Sequence, residues 1–155
     1  MKPQYPLIII ALSCLLTACS KLTSNGKIDG KWRLEKMYCK PTDNALYYTE
    51  EKDLMAEQIY WNIQLGLLSI TSADTLNGYS NETTARFTTN NNHFEITQTY
   101  IHYRDRDSLL TDPNITLLEP IGIRSNACQY TIPLLTSSKM ILCSEKDSLI
   151  FYKLH

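Results

Sequence analysis

The sequence predicts an all-β domain of roughly eight antiparallel strands with at most one or two short helices, preceded by an N-terminal signal segment. Three observations carry that prediction. Short segments alternate apolar and polar side chains with a period of two, turn-forming residues punctuate them every eight to twelve residues, and nothing beyond the first 18 residues holds a strong helical period. Many short strands at this spacing are the pattern of a sandwich or an up-and-down barrel.

The segment before the domain runs from Leu7 to Leu16, apolar except for Ser13, with Lys2 ahead of it and the small residues Thr17 and Ala18 behind. A basic start, an apolar centre and a small-residue end make a cleavable secretory signal. Ten residues rise only ~15 Å as a helix, half of a ~30 Å hydrocarbon core, so the run is too short to span a membrane. Leu16-Thr17-Ala18-Cys19 resembles the lipobox of bacterial lipoprotein signals. What that resemblance implies is cleavage before Cys19, acylation of Cys19, and a membrane anchor that two or more chains hold stably. Ser20 follows where an aspartate would imply retention at the inner membrane, so similarity to the sorting rules of enteric bacteria implies the outer membrane. Residues 20–26 lack the acidic cluster of surface-exported lipoproteins of the Bacteroidetes, and the expected address is the cell envelope, lipid-anchored and facing the periplasm.

Removing residues 1–18 from the 155 leaves 137, enough for one domain: signal 1–18, tether 19–29, barrel 30–155. Loss of Lys2 takes the formal charge from −1 to −2, and no basic patch emerges, so nucleic acid is not an expected partner. Cys14 leaves with the signal. Cys39, Cys128 and Cys143 remain, an odd number in a compartment that permits disulfides. In a closed barrel the first and last strands are neighbours, so Cys39 with Cys143 or with Cys128 is sterically open, as is a set of three buried thiols.

Taking the elements in order, Gly30 to Cys39 alternates, placing Trp32, Leu34 and Tyr38 on one face and Lys31, Arg33 and Glu35 on the other. Pro41 breaks it. Lys40 to Glu57 reads as a long loop or a short helix near Glu50 to Ala56. Gln58 to Leu65 puts Ile59, Trp61, Ile63 and Leu65 on one face, and Gly66 makes a bulge or tight bend into Leu67 to Thr71. Thr83 to Thr89 and His93 to Ile101, the latter with Phe94, Ile96, Gln98 and Tyr100 on one face, flank Asn90-Asn91-Asn92 as a hairpin. His102 to Asp112 is charged and could hold one helical turn before Pro113. Cys128 to Leu135, with Pro133 near an edge, Met140 to Ser144 and Ser148 to Leu154 complete the strands, the last two joined by an exposed Glu145-Lys146-Asp147 turn.

Gly30-Lys31-Trp32 resembles the Gly-x-Trp element of lipocalins, whose tryptophan packs across the closed end of the barrel. Ile121-Gly122-Ile123, Tyr130-Thr131-Ile132, Leu134 to Leu142 and Leu149 to Leu154 are similar to the closing strands of lipocalin-like lipoproteins from Bacteroidetes. The resemblance covers both ends of the mature domain and implies an eight-stranded antiparallel barrel with a mostly apolar lumen, with no established activity for these bacterial members. One departure is that no late arginine signature is present, although Arg124 precedes the last strands.

Chemistry-bearing patterns are sparse. His93, His102 and His155 are too scattered for a metal set, and there is no C-x-x-C, nucleophile elbow, phosphate loop or H-E-x-x-H. Arg104-Asp105-Arg106-Asp107 alternates in sign and reads as a solvated face. Asn81-Glu82-Thr83 and Asn114-Ile115-Thr116 match a glycosylation pattern that means little in bacteria. No cofactor and no catalytic group is therefore expected. Ten tyrosines, among them Tyr47, Tyr48, Tyr60, Tyr79, Tyr100 and Tyr103, offer apolar area with a polar tip and suit a binding surface or a barrel rim.

Two functions follow. One is a binding lipoprotein that holds a small apolar ligand in a lumen lined by Trp32, Leu34, Trp61, Phe94 and Ile96, which requires a pocket of ~300 Å³ or more. The other is a protein-interaction module, an accessory subunit or an inhibitor of an envelope enzyme, with a filled barrel and an exposed tyrosine-rich surface near Tyr47-Tyr48 and Tyr100 to Tyr103. An enzyme ranks third and would need a carboxylate and a histidine to converge in one pocket.

Overall fold

The computed structural model describes residues 24–42, 44–74, 80–90, 92–103, 105–111 and 116–154. The expected signal segment and the expected lipidation at Cys19 lie outside the described residues, as do Tyr79, Arg104, Pro113, Asn114 and His155. Ten strands form one antiparallel sheet: β1 Gly30–Cys39, β2 Glu50–Asp53, β3 Ile59–Gln64, β4 Leu67–Thr71, β5 Glu82–Asn90, β6 His93–His102, β7 Asp107–Leu109, β8 Cys128–Leu135, β9 Lys139–Cys143 and β10 Asp147–Leu154. The order β1-β3-β4-β5-β6-β8-β9-β10 closes on itself through β10 with β1, an eight-stranded barrel. Its only helical pieces among the described residues are 3-10 turns at Gly26–Ile28 and Glu119–Ile121.

Closure needs strands that bend, and three irregularities supply the bends. In β1, Leu34 faces Phe151 but Lys36 faces Ile150, so Glu35 is an extra residue. The bulge reverses the alternation: Trp32 and Leu34 point inward below it, Met37 and Cys39 above it, and Tyr38 turns outward. The sequence reading placed Tyr38 on the inner face because it assumed an unbroken period. β6 repeats the device. Opposite Arg86 and Phe87 stand Gln98 and Ile96, leaving Thr97 unpaired, so Thr99 and Ile101 are buried where Gln98 and Tyr100 were expected. The third irregularity, between Thr131 and Leu134, contains Pro133, which has no N–H to give to the ladder.

β2 and β7 exist because the bulged strands outrun their neighbours. β3 pairs with β1 only over Gly30 to Leu34, and β2 takes the same edge from Lys36 to Cys39. β8 pairs with β6 only over His93 to Ile96, and β7 takes the edge from Tyr100 to His102. Both pieces were expected as loop or helical turn; backbone groups left open on β1 and β6 make them strands instead. Leu65 sits in the β3–β4 turn, 65% exposed with φ +53 beside Gly66 at φ +77, and not on the inner face of β3. Positive φ at both central residues is what a type I′ hairpin turn demands.

The two ends of the barrel differ. At one end β1 begins, β3 and β10 finish, and the β8–β9 turn lies. Trp32 crosses this end, its Nε1 donating to the carbonyl of Ile28 at 2.7 Å, with Lys153 Nζ 4.8 Å above its ring. The other end holds the β1–β2 and β4–β5 connections, segment 116–127 and the β9–β10 turn.

Candidate functional site

The five side chains expected to line a lumen do converge. Trp32, Leu34, Trp61, Phe94 and Ile96 all point into the barrel, and each is 0% exposed. A void large enough for one water would leave exposed surface on its lining, so these residues are core, packed directly against one another. Trp61 is the centre. Its ring lies 5.0 Å from Phe151, 6.2 Å from Phe94 and 6.4 Å from Tyr130, and Phe94 stacks on Phe87 at 4.8 Å. Among the described residues, Trp61 Nε1 is a buried donor without an acceptor.

The open mouth is stoppered by segment 116–127. Leu118, Ile121 and Ile123 insert into it, buried alongside Leu149 and Tyr130 in the same apolar cluster. Pro120 and Ile121 lie in the 3-10 turn, and Gly122 at φ +89 reverses the chain behind them. A Cβ at Gly122 would lie 2.7 Å from Leu149 Cδ1, so the close approach requires glycine. Tyr130 Oη donates to the Gly122 carbonyl at 2.6 Å. The sequence reading assigned Ile121-Gly122-Ile123 to the closing strands; their alternation around a glycine instead serves a turn that buries both isoleucines.

Arg124 fastens the stopper. Its Nη2 donates to Asp147 Oδ1 at 2.8 Å and its Nε to Oδ2, while Nη1 lies 3.1 Å from Glu119. Asp147 was expected in an exposed turn, yet its side chain is 1% exposed. It begins β10 opposite Cys39, which turns it inward beneath the guanidinium. The bidentate hydrogen bonds to Asp147 hold the Arg124 pKa above its ordinary range, against the opposing effect of burial. Burial first, and then the Asp147 carboxylate, pushes the Cys39 thiol up; its Sγ is 3.8 Å from Arg124 Nη2. Tyr48 Oη donates to the Ser144 carbonyl at 2.5 Å, and burial raises its pKa as well.

Outside the stopper lies a recess of about 860 Å³ bounded by segment 116–127, β8 and the β9–β10 turn. Tyr48, His93, Glu119, Gln129, Cys143 and Lys146 are among its lining residues.

Cys39, Cys128 and Cys143 are free thiols. The strand order keeps the expected partners apart: β10 lies between Cys143 on β9 and Cys39 on β1, and both β9 and β10 lie between Cys128 on β8 and Cys39. His102 cross-links three strands: Nδ1 is 2.5 Å from Asp107 on β7 and Nε2 2.5 Å from Thr84 Oγ1 on β5. Carboxylate, imidazole and hydroxyl in that order form a relay, but this one lies along the barrel wall with Asp107 62% exposed and pins β7 in place. Among the described residues no group of three His, Cys, Asp or Glu side chains could hold a metal ion.

A family model described as a lipocalin-like domain matches residues 14–154. Among solved structures, the chain is similar to a lipocalin-like protein from Bacteroides uniformis, at 18% identity and a TM-score of 0.56, covering 83% of this chain and 100% of that one. It is also similar to an uncharacterized protein from Bacteroides eggerthii, at 15% identity and a TM-score of 0.56, over 81% of this chain and 98% of that one. Identities this low speak to the fold alone. Among proteins of curated function none matches. That match spans residues 14–154 of the 155, and the chain belongs to the lipocalin-like domain family.

Proposed function

We propose that this protein is a lipid-anchored envelope lipoprotein that binds through its surface, a protein-interaction module whose barrel serves as a rigid mount. The observation that carries this reading is the filled interior: all five lumen residues are 0% exposed, and Leu118, Ile121 and Ile123 stopper the mouth. A small apolar ligand would have to displace that packing, at ~2–5 kcal/mol for each large side chain moved out of contact. The open end offers what an interaction surface needs. Leu46 is 84% exposed and Tyr47 75% exposed beside the recess residue Tyr48, and Glu50, Glu51 and Asp53 form an exposed acidic edge along β2. An aromatic anchor within a charged rim suits a partner with a basic, groove-bearing face.

A second reading keeps a lumen ligand, and one atom favours it. Trp61 Nε1 has no acceptor among the described residues, and a ligand carbonyl admitted past the stopper would provide one.

Photo-crosslinking in a Gram-negative envelope tests the first reading. A photoreactive residue at Tyr47 should give a discrete adduct, and one at Tyr60 on the barrel wall should give none. Equal labelling at both positions contradicts a dedicated surface. The intact mass of the same preparation reports acylation at Cys19, and a Cys19→Ala chain should leave the membrane fraction.

A further inference from the structure

The closed end of the barrel is chemically unlike the rest of the surface. It comprises residues 24–31, where the chain joins the barrel, the β3–β4 turn at 64–67, the β8–β9 turn at 135–139 and the β10 end at 152–154. Lys27, Lys31, Lys139 and Lys153 lie there, Lys31 and Lys139 with their ammonium groups over the rings of Tyr60 and Tyr152, and Lys153 held over Trp32 with its Nζ donating to the Lys27 carbonyl at 2.9 Å. The one carboxylate in that set, Asp29, is 8% exposed and is bonded by the Asn25 backbone N–H and side-chain amide at 3.0 and 2.7 Å. Around these lysines stand exposed leucines: Leu65 at 65%, Leu67 at 46% and Leu154 at 38%. The opposite end carries more acids than bases in its exposed segments, Glu50, Glu51 and Asp53 around Lys52 on β2 and Glu145 beside Lys146 in the β9–β10 turn, with Glu51 paired to Lys36. The barrel is therefore polarised in charge, and the closed end is where exposed leucines and clustered lysines coincide.

Leu65 breaks a local rule. The first central position of a type I′ turn favours Asn, Asp or Gly because its φ is positive, and here a leucine holds φ +53 with its side chain in the open. Turn chemistry that contradicts backbone preference points to a use for the side chain.

We propose that the closed end is a membrane-docking face that seats on an anionic phospholipid surface, with Leu65 and Leu67 entering the headgroup–acyl boundary and the lysines meeting lipid phosphates. Exposed apolar tips beside clustered cations are how a peripheral surface engages a bilayer. The path of the chain favours the same end. Residue 24 joins the barrel there, and from Cys19 to Ser24 the chain can reach at most about 18 Å. An acyl group on Cys19 would hold this end at the membrane and present the acidic, tyrosine-bearing end to the periplasm. That last step rests on the anchor reading; the docking face itself rests on the leucines and lysines.

Tryptophan fluorescence tests it, because native Trp32 and Trp61 are both 0% exposed and give a constant background. Full-length Leu65→Trp, Leu67→Trp and Tyr47→Trp chains, processed in a Gram-negative host, are mixed with vesicles of phosphatidylethanolamine and phosphatidylglycerol bearing brominated acyl chains. The two closed-end indoles should shift to the blue and be quenched several-fold, while the Tyr47→Trp indole stays at its water-exposed wavelength. Leu67→Trp lies in regular strand, so it reports even if the strained turn rejects an indole. Adding Lys31→Glu and Lys139→Glu should abolish the shift on anionic vesicles with the far-UV spectrum unchanged. Closed-end indoles that remain unquenched, or quenching equal at Tyr47→Trp, overturn the docking face. Intact mass separates the two ideas: quenching by an unacylated chain sinks the anchor and upholds the face, whereas an acylated chain with water-exposed closed-end indoles sinks the face alone.

Discussion

Replacing Arg124 with Met removes the cation that fastens the stopper and strands the Asp147 carboxylate, whose side chain is 1% exposed. Breaking a fully buried ion pair by removing one partner costs ~3–5 kcal/mol. Arg124 keeps 27% of its side-chain surface in water, so part of that penalty is already screened, and a loss of ~2–3 kcal/mol is expected. Against a stability of ~5–15 kcal/mol this is a large fraction. Urea unfolding followed by tryptophan emission should show it as a midpoint ~1–2 M lower, since the denaturant slope for a domain this size is ~1–3 kcal/mol/M. The double variant Arg124→Met with Asp147→Leu leaves no buried charge and should recover most of the loss, because apolar replacement of a buried pair is often neutral. The reasoning fails if the single variant costs under ~0.5 kcal/mol, the size of an ordinary surface change, or if the double variant is as unstable as the two single losses added.

Gly122→Ala forces a Cβ to 2.7 Å from Leu149 Cδ1 at a positive φ, and thermal melting should show a loss of ~2–4 kcal/mol from overpacking and backbone strain together. Leu65→Asn suits the turn and should raise stability by ~0.5–1 kcal/mol in urea while weakening vesicle contact, so a stabilised variant that still docks would separate the two roles. Trp32→Phe loses the 2.7 Å bond to Ile28 and the Lys153 contact, and should cost ~2–4 kcal/mol with the family fold retained by circular dichroism. In native protein at pH 8, Cys39 should resist thiol reagents that reach Cys128 and Cys143, because burial raises its pKa, while in denatured protein peptide mapping should find Cys39 labelled as fully as the other two. The raised folded-state value makes the linked stability complete below the unfolded thiol pKa, and that stability is lost as pH climbs through the folded one.

Strand identity was legible wherever the period ran unbroken. Ile59, Trp61 and Ile63 face inward as read, and so do Trp32, Leu34, Phe94 and Ile96. Tyr38, Gln98 and Tyr100 were misplaced because Glu35 and Thr97 are single-residue bulges, and a bulge leaves no composition signal when the residue is an ordinary polar one. β2 and β7 were invisible for a different reason: charged edge strands of three and four residues form only because β1 and β6 outlast their neighbours. The five lumen residues are interior as read, and the sequence could not say whether they enclose a space, since one pattern serves a packed barrel and a hollow one. Asp147 belonged to a Glu-Lys-Asp run that looked solvated. Only tertiary pairing with Arg124 and the turn inward at the start of β10 distinguish it from Glu145. The stopper did leave a signal, the apolar Leu118, Ile121 and Ile123 in a segment otherwise polar, which the strand pattern absorbed too readily.

Native mass spectrometry of the processed chain from a Gram-negative envelope, set beside its denaturing spectrum, tests the filled barrel most directly. A packed interior predicts the same mass in both spectra, any covalent acyl groups included. A non-covalent adduct of a few hundred daltons that disappears on denaturation would contradict it and return the protein to the ligand carriers.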